Sequence, residues 1–306
     1  MRNVRTAAAM VVAAVLVSGL AACGSAAGGK DQAKSAAASG ASSAASAAGS
    51  GSAAPSGGAS GSAGGGAAVK TDGLGAKELL LASATVMEKA GSAKLTMTGS
   101  TPGASGTGVY SWKAPAAFQL TLNTSEGPGK LLVTADQLYL GVDDETAADM
   151  GGKHWLKLDP KAAGQGAPGG EDAGSLTAML QTLNPAVQLT ANALGGKLSK
   201  VGAEQVGGVA TTHLRSELPV ESLVNGMPGL GEDVKKLVIG TLKKNRASVT
   251  TDFWISGNGE LVQQTSDNVG NGSKDPVTVG YGALGSAATV TAPAPGDVMS
   301  FADMLK

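Results

Sequence analysis

The chain has 306 residues, a formal net charge of −1 at pH 7, and 42% hydrophobic residues. A charge this close to neutral excludes the strongly basic surface typical of nucleic-acid-binding proteins, so no nucleic-acid partner is expected. Cys23 is the only cysteine of the sequence. An internal disulfide and a cysteine-ligated metal cluster are therefore excluded as well.

Residues 1–22 have the pattern of an export signal. Arg2 and Arg5 form a basic start, an Ala/Val-rich apolar run extends from Thr6 to Val17, and small residues follow. The run is too short to cross a bilayer core about 30 Å thick. Its position at the beginning of the chain predicts a cleaved signal peptide.

Cys23 directly follows Leu20-Ala21-Ala22, and this arrangement resembles the lipobox of bacterial lipoproteins. The resemblance implies that the signal is removed before Cys23. It also implies that the cysteine receives an S-diacylglycerol and an N-acyl chain such as palmitate. The alternative is an ordinary cleaved signal that is followed by a cysteine without this role.

Residues 23–70 consist almost wholly of Gly, Ala and Ser after the cysteine and contain no aromatic residue. Such a segment cannot bury enough apolar surface to offset the entropy of ordering it. The composition predicts a flexible tether with an r.m.s. span of about 35–40 Å. No later run of about twenty apolar residues offers a membrane span. The acylated Cys23 is thus expected to hold the protein on the extracytoplasmic face of the cytoplasmic membrane.

Residues 71–306 are predicted to form the folded domain. Apolar residues at helical spacing predict an opening helix at Ala76–Ala90, which ends at Gly91. Period-two alternation then predicts strands, and helical spacing returns in two insertions. The predicted strands are 94–98, 108–112, 118–123, 130–135, 137–142, 153–159, 198–206, 209–217, 247–256, 260–267, 277–283 and 288–291. The predicted helical insertions are 175–194, broken at Pro185, and 220–244, and a closing helical turn is expected at 296–305.

This order of elements predicts an α+β fold with a strongly curved antiparallel sheet of about eleven strands. The helices are expected to pack on the concave face of this half-barrel. Its inner face is mainly aliphatic, and an incompletely filled aliphatic interior suits alkyl chains. The candidates for lining such a cavity are Leu95, Met97, Phe118, Leu120, Leu122, Leu138, Leu140, Leu156, Leu158, Met179, Leu180, Leu183, Leu214, Val249 and Phe253.

The arrangement resembles the LppX/LprG-type lipoproteins of actinobacteria, which have a LolA-like half-barrel. The resemblance rests on Cys23, the tether, and the opening helix before Ser92–Gly99. It rests further on the strand pairs 130–133 with 137–140 and 252–255 with 260–262, and on the end segment 291–295 with its short helix. It implies binding and transport of an acylated lipid or glycolipid between the sheet and its helices.

Catalytic motifs are absent from the sequence. There is no Gly-x-Ser-x-Gly elbow and no phosphate-binding Gly-x4-Gly-Lys-Ser/Thr loop. His154 and His213 are the only histidines, and both fall in predicted strands without a ligand partner at helical spacing. We therefore expect no enzyme activity, no cofactor and no metal site. Lipid binding and transport is the leading hypothesis, and a non-enzymatic interaction or sensor module with an envelope protein partner is the alternative.

Overall fold

The computed structural model describes residues 71, 73–100, 103–125, 127–158, 172–226, 232–244, 246–267 and 275–304. Cys23, the predicted signal and the whole of the predicted tether lie outside these residues. The described helices are α1 (Ala76–Ala90), α2 (Asp144–Asp149), α3 (Asp172–Leu183), α4 (Pro185–Gly195), α5 (Val220–Asn225), α6 (Glu232–Lys243) and α7 (Phe301–Met304). A 3-10 turn covers Pro295–Asp297.

Twelve described strands form one sheet. They are β1 (Ser92–Thr98), β2 (Gly106–Ser111), β3 (Ala117–Thr124), β4 (Gly127–Thr134), β5 (Leu138–Gly141), β6 (Trp155–Leu158), β7 (Lys197–Val206), β8 (Val209–Pro219), β9 (Ser248–Ser256), β10 (Leu261–Ser266), β11 (Val277–Gly282) and β12 (Val298–Ser300). Their order is β12-β6-β5-β4-β3-β2-β1-β11-β10-β9-β8-β7, so the sheet is open. All neighbours are antiparallel except β12 and β6. The predicted α+β half-barrel is confirmed.

The inner face of the sheet is a continuous apolar surface because period-two residues align across the strands. Leu95 of β1 pairs with Gly108 of β2, which pairs with Leu120 of β3, and the same row continues through β4 to β6. Gly106 and Gly108 allow a close approach of β2 and β3. A Cβ at either position would lie 2.2 Å from a backbone carbonyl oxygen of β3.

The helices bury their apolar sides against this face. In α1, Leu79, Leu80 and Met87 are almost fully inaccessible to solvent, and in α4 so is Leu189. Helix α1 ends at Gly91, where a φ of 75° suits a residue without a side chain. Within the described part of the chain, no helix is both long enough and apolar enough to span a membrane.

Helices α5 and α6 share a second, smaller apolar cluster. It consists of Val220 and Val224 from α5 and Leu242 from α6, with Val238 and Ile239 packed against it. Lys243 of α6 also pairs with Glu221 of α5. Their packing is therefore separate from the main core of the half-barrel.

Two local predictions were wrong, and one short helix was not predicted. Residues 288–291 form no strand, and the closing strand is β12, three residues long, within the segment predicted as a helical turn. A strand this short has no periodicity that a sequence can show. No predicted element covers residues 144–149, yet they form α2, because the side chain of Asp143 accepts the Thr146 N–H at 2.7 Å and caps the helix.

Candidate functional site

A cavity of about 170 Å³ lies between the inner face of the sheet and helices α3, α4 and α5. Its apolar wall is formed by Leu95, Met97, Tyr110, Phe118, Leu120, Leu183, Leu218, Leu223, Val249, Val279 and Tyr281. Its polar wall is formed by Thr182, Gln188, Asn192, Thr251, Gln264 and Ser266. Among the described residues, no Asp, Glu, Lys or Arg lines this space. The cavity lining is thus mostly hydrocarbon, and its polar side chains are uncharged.

Six of the fifteen predicted cavity residues line this space, namely Leu95, Met97, Phe118, Leu120, Leu183 and Val249. Another seven lie in the filled core instead, and these are Leu122, Leu138, Leu140, Leu156, Leu180, Leu214 and Phe253. Leu158 is half-buried and packs against that core. Met179 belongs to α3, but its side chain is outside the described part of the structure. The cavity therefore occupies the middle of the sheet, and the region toward β6 is solid.

Tyr110 joins the sheet to the helix that covers the cavity. Its ring contacts Trp112 and Phe118 edge-on, with centroids 5.4 and 6.2 Å apart. Its hydroxyl donates to the carbonyl oxygen of Leu180 in α3. Burial raises the pKa of Tyr110, and burial likewise raises the pKa of Tyr281. Both phenols are therefore neutral at physiological pH, and the cavity wall carries no charge from them.

The polar wall is organised by side-chain amides. Gln188 Nε2 donates to the carbonyl oxygen of Thr182 at 3.2 Å, and Gln264 Nε2 donates to Gln188 Oε1 at 2.9 Å. Asn192 Nδ2 donates to the carbonyl oxygen of Gln188 at 2.8 Å. These bonds connect the α3–α4 corner to strand β10. They hold the two helices over the cavity on this side.

The sequence did not predict the polar residues of the cavity, because an irregularity in β10 decides which of its residues face inward. The pairing of β9 with β10 shifts between Leu261 and Gln263. The extra residue reverses the faces of the strand, so Gln264 rather than Gln263 points inward. Gln188 and Asn192 are four residues apart on α4, which places both on one helix face. That spacing is the one sequence signal that could have indicated a polar stripe.

Both histidines lie away from the cavity. His213 is buried on the outer face, where Nδ1 lies 2.8 Å from Glu204 Oε1 and Nε2 lies 2.7 Å from Asp252 Oδ1. Arg215 binds Asp252, while Trp254 stacks on the imidazole and donates to Glu204. These contacts join β7, β8 and β9. In the described residues, no group of three or more histidine or carboxylate side chains is placed to hold a metal ion.

His154 is exposed and ties β6 to the end of the chain. Its backbone N–H donates to Asp297 Oδ1 at 2.9 Å, and its ring Nδ1 lies 2.8 Å from the same oxygen. These bonds lower the pKa of the Asp297 carboxyl below its ordinary value. The pair positions the 3-10 turn from which β12 enters the sheet.

Comparison with known proteins gave one sequence relative and several solved structures. No family model matches the chain. The "uncharacterized 31.2 kDa protein in rplA-rplJ intergenic region" of Streptomyces griseus is 29% identical over 174 residues. That match spans 56% of this chain and 56% of the relative.

Two of the solved structures that match are mycobacterial. The lipoprotein LppX of Mycobacterium tuberculosis is 16% identical, with a TM-score of 0.43, and the match covers 70% of this chain and 99% of LppX. LprF of Mycobacterium bovis is 14% identical, with a TM-score of 0.46, covering 72% of this chain and 97% of LprF. The resemblance of the sequence to LppX-type lipoproteins is thus accompanied by a similarity of structure. At these identities it concerns the fold.

Proposed function

We propose that this protein is a non-enzymatic envelope lipoprotein that binds an acylated lipid in the cavity and transports or presents it. The observation that carries the proposal is the uncharged, mainly hydrocarbon space between the sheet and three helices. Alkyl chains enter such a space favourably because they need no directional partners. Burial of a sixteen-carbon chain contributes on the order of 10 kcal/mol before ordering costs, at about 0.8 kcal/mol per methylene.

The proposed arrangement on the membrane follows from the beginning of the chain. Residues 1–22 would be the signal peptide, Cys23 the acylated anchor, 23–70 the tether and 71–306 the binding domain. Two or three acyl chains hold a protein stably on a bilayer, whereas one chain holds it only marginally. The domain would then work on the extracytoplasmic face of the cytoplasmic membrane. From there the tether lets it reach a lipid donor or acceptor.

The size of the cavity requires that the covering helices move. A cavity of about 150 Å³ holds a molecule the size of benzene, and the cavity here has about 170 Å³. As it stands, it holds only part of one acyl chain. Helix α5 contributes Leu223 to the wall and packs with α6 in the separate cluster. A shift of these two helices would enlarge the space without exposing the main core.

Native mass spectrometry of the chain from Gly24 onward tests the proposal. This form lacks Cys23, so any lipid that co-purifies with it must occupy the folded domain. We expect an adduct at one lipid per protein, and extraction would then give the lipid class. A mass without adduct, both as purified and after incubation with an envelope lipid extract, would contradict the proposal. The alternative function, a module that binds an envelope protein through a filled half-barrel, would then be favoured.

A further inference from the structure

Helix α4 carries an apolar face on its solvent side. Val187 is 41% exposed and Leu194 is 68% exposed, and Ala191 between them is exposed as well. Because residues three and four apart are neighbours on a helix, these three side chains lie next to one another and form the outer face of α4. Ala186 and Leu189, on the other side of the helix, are buried in the core. Helix α4 is therefore apolar on both sides.

The outer face of α4 also lacks charge and unpaired donors. No Asp, Glu, Lys or Arg occurs in Pro185–Gly195. The polar side chain at the edge of the face is Thr190, whose hydroxyl donates to the carbonyl oxygen of Ala186 at 2.8 Å. Removing a charge or an unpaired polar group from water is costly. The outer face avoids this cost, so it can leave water readily.

The neighbouring helix α1 shows the ordinary pattern of a helix on a protein surface. It packs beside α4, and its exposed residues include Lys77, Glu88 and Lys89. Surface helices place charged and polar residues opposite the core, whereas a helix that is apolar all round is ordinarily covered by protein or lipid. The absence of charge is thus a property of α4 and not of the helical layer as a whole.

The size of the outer face favours a lipid bilayer over a partner protein. Stable protein interfaces bury about 800 Å² on each side, over about 20–30 residues, whereas this face consists of three side chains. A bilayer requires less when the domain is already held beside it. The predicted tether would keep the domain within about 35–40 Å of its anchor. Such linkage raises the local concentration to about the millimolar range, so a weak apolar contact suffices.

The outer face lies directly outside the cover of the cavity. The inner side of α4 contributes Gln188 and Asn192 to the cavity lining. At the end of the helix, a Cβ on Gly195 would lie 3.5 Å from the Cβ of Ser222 in α5, so α4 ends against α5. Helix α5 is one of the two helices whose shift would enlarge the cavity. A surface that covers the outer face therefore lies next to the part that would open.

We propose that the outer face of α4 docks the folded domain on the surface of a lipid bilayer. The helix lies in the plane of the membrane surface, and its outer side chains enter the boundary between headgroups and acyl chains. Docking brings the cover of the cavity to the place where a lipid would enter or leave. This inference goes beyond the proposed function and shares with it the predicted tether.

Sedimentation with sucrose-loaded phosphatidylcholine vesicles tests the docking surface on the chain from Gly24 onward. This form lacks Cys23, so it carries no acyl anchor, and millimolar lipid takes the place of the tether. We expect a measurable partition coefficient for the wild-type sequence. Leu194→Glu should lower it about tenfold or more, because the variant loses the largest apolar contact and must desolvate a carboxylate.

A second variant and a matched control locate the contact. Ala191→Glu places a charge in the middle of the outer face and keeps a good helix former, so it should weaken partition in the same way. Val201→Glu is the control, because Val201 is 50% exposed on the edge strand β7. It should keep the wild-type partition coefficient. All three substitutions replace exposed side chains, and thermal melts check that each variant is folded.

The outcomes separate this inference from the proposed function, which is measured on the same proteins by displacement of a fluorescent polyene fatty acid. A wild-type protein that binds the fatty acid but not the vesicles would overturn the docking surface and leave lipid binding in place. Vesicle binding that both Glu variants at 191 and 194 weaken, without any fatty-acid binding, would support docking and contradict the proposed function.

Two further results would overturn the docking surface. Equal partition of the wild type, Leu194→Glu and Ala191→Glu would place the membrane contact elsewhere on the protein. A wild-type dimer in analytical ultracentrifugation that Leu194→Glu dissociates would assign the outer face to a second copy of the chain.

Discussion

Leu120 and Leu122 are neighbours on the inner face of β3, but they differ in what surrounds them. Leu120 lines the cavity, whereas Leu122 lies in the filled core and is 1% exposed. Tryptophan at position 120 can extend into the empty space, so Leu120→Trp should abolish lipid uptake with little loss of stability. Fatty-acid displacement and thermal denaturation measure the two effects.

Leu122→Trp is the control for that substitution. Overpacking a filled core destabilises by about 1–3 kcal/mol, so this variant should melt at a lower temperature. If Leu120→Trp is destabilised as strongly as Leu122→Trp and still takes up lipid, the cavity is not the binding site.

The outer-face cluster around His213 gives a prediction about acid stability. Hydrogen bonds from Trp254 and His213 lower the pKa of the Glu204 carboxyl from its ordinary value of 4.5. A carboxyl with a depressed pKa stabilises the folded state above its unfolded pKa, and this contribution is lost as the pH falls through the folded pKa. The stability difference between wild type and Glu204→Gln should therefore be present at pH 6 and disappear well below pH 4.5.

Thermal melts of both proteins between pH 6 and pH 3 measure this difference. Glu145→Gln is a suitable control, since Glu145 is an exposed carboxylate on α2, which takes no part in this cluster. A pH-independent gap between wild type and Glu204→Gln would show that the carboxylate contributes only packing.

At the scale of elements, helices α5 and α6 are the part of the structure best placed to open. Their shared cluster is small. Leu242 is the buried residue that α6 contributes to it. Leu242→Ala should weaken the docking of α6 on α5 and accelerate lipid exchange, with little effect on the main core. Hydrogen exchange would show faster exchange at 220–243 and unchanged protection in α1 and β9.

Leu189→Ala is the comparison for this prediction. Leu189 is fully buried in the main core, so truncation should cost about 2–5 kcal/mol and lower the melting temperature of the whole domain. If Leu242→Ala lowers the melting temperature as much and leaves the exchange rate of lipid unchanged, the two helices belong to the main core.

Helices and strands were predicted accurately where the pattern that specifies them lies within their own sequence. Helix α1 and the strands β3 and β9 have periodic apolar faces, and their bounds agree with the predictions to within a residue or two. Gly207 and Gly208 both have positive φ, as expected for the tight turn between β7 and β8. The bulge of β10 and the parallel pairing of β12 depend on distant strands, so the sequence of each segment alone could not predict them.

At the scale of the whole molecule, the half-barrel follows from the strand pattern, but the position of its cavity does not. Inward-facing aliphatic residues occur along the entire sheet, and the sequence places Leu120 and Leu140 on the same face. Whether a helix fills the space beside each residue is decided by three-dimensional packing. The apolar wall was therefore partly predicted, whereas the amide wall depends on a bulge and on a helix corner.

Membrane attachment is the remaining prediction at this scale, and it concerns Cys23. Two or three acyl chains at this residue would hold the protein stably on a bilayer. Cys23→Ser should therefore release the protein from the membrane fraction and remove the mass of a diacylglycerol and an acyl chain. Ser25→Ala, two residues later, should remain membrane-bound. If the predicted tether separates the predicted anchor from the folded domain, Cys23→Ser should bind lipid and melt like the wild type. Retention of Cys23→Ser in the membrane fraction after residues 1–22 have been removed would show that the folded domain itself holds the membrane.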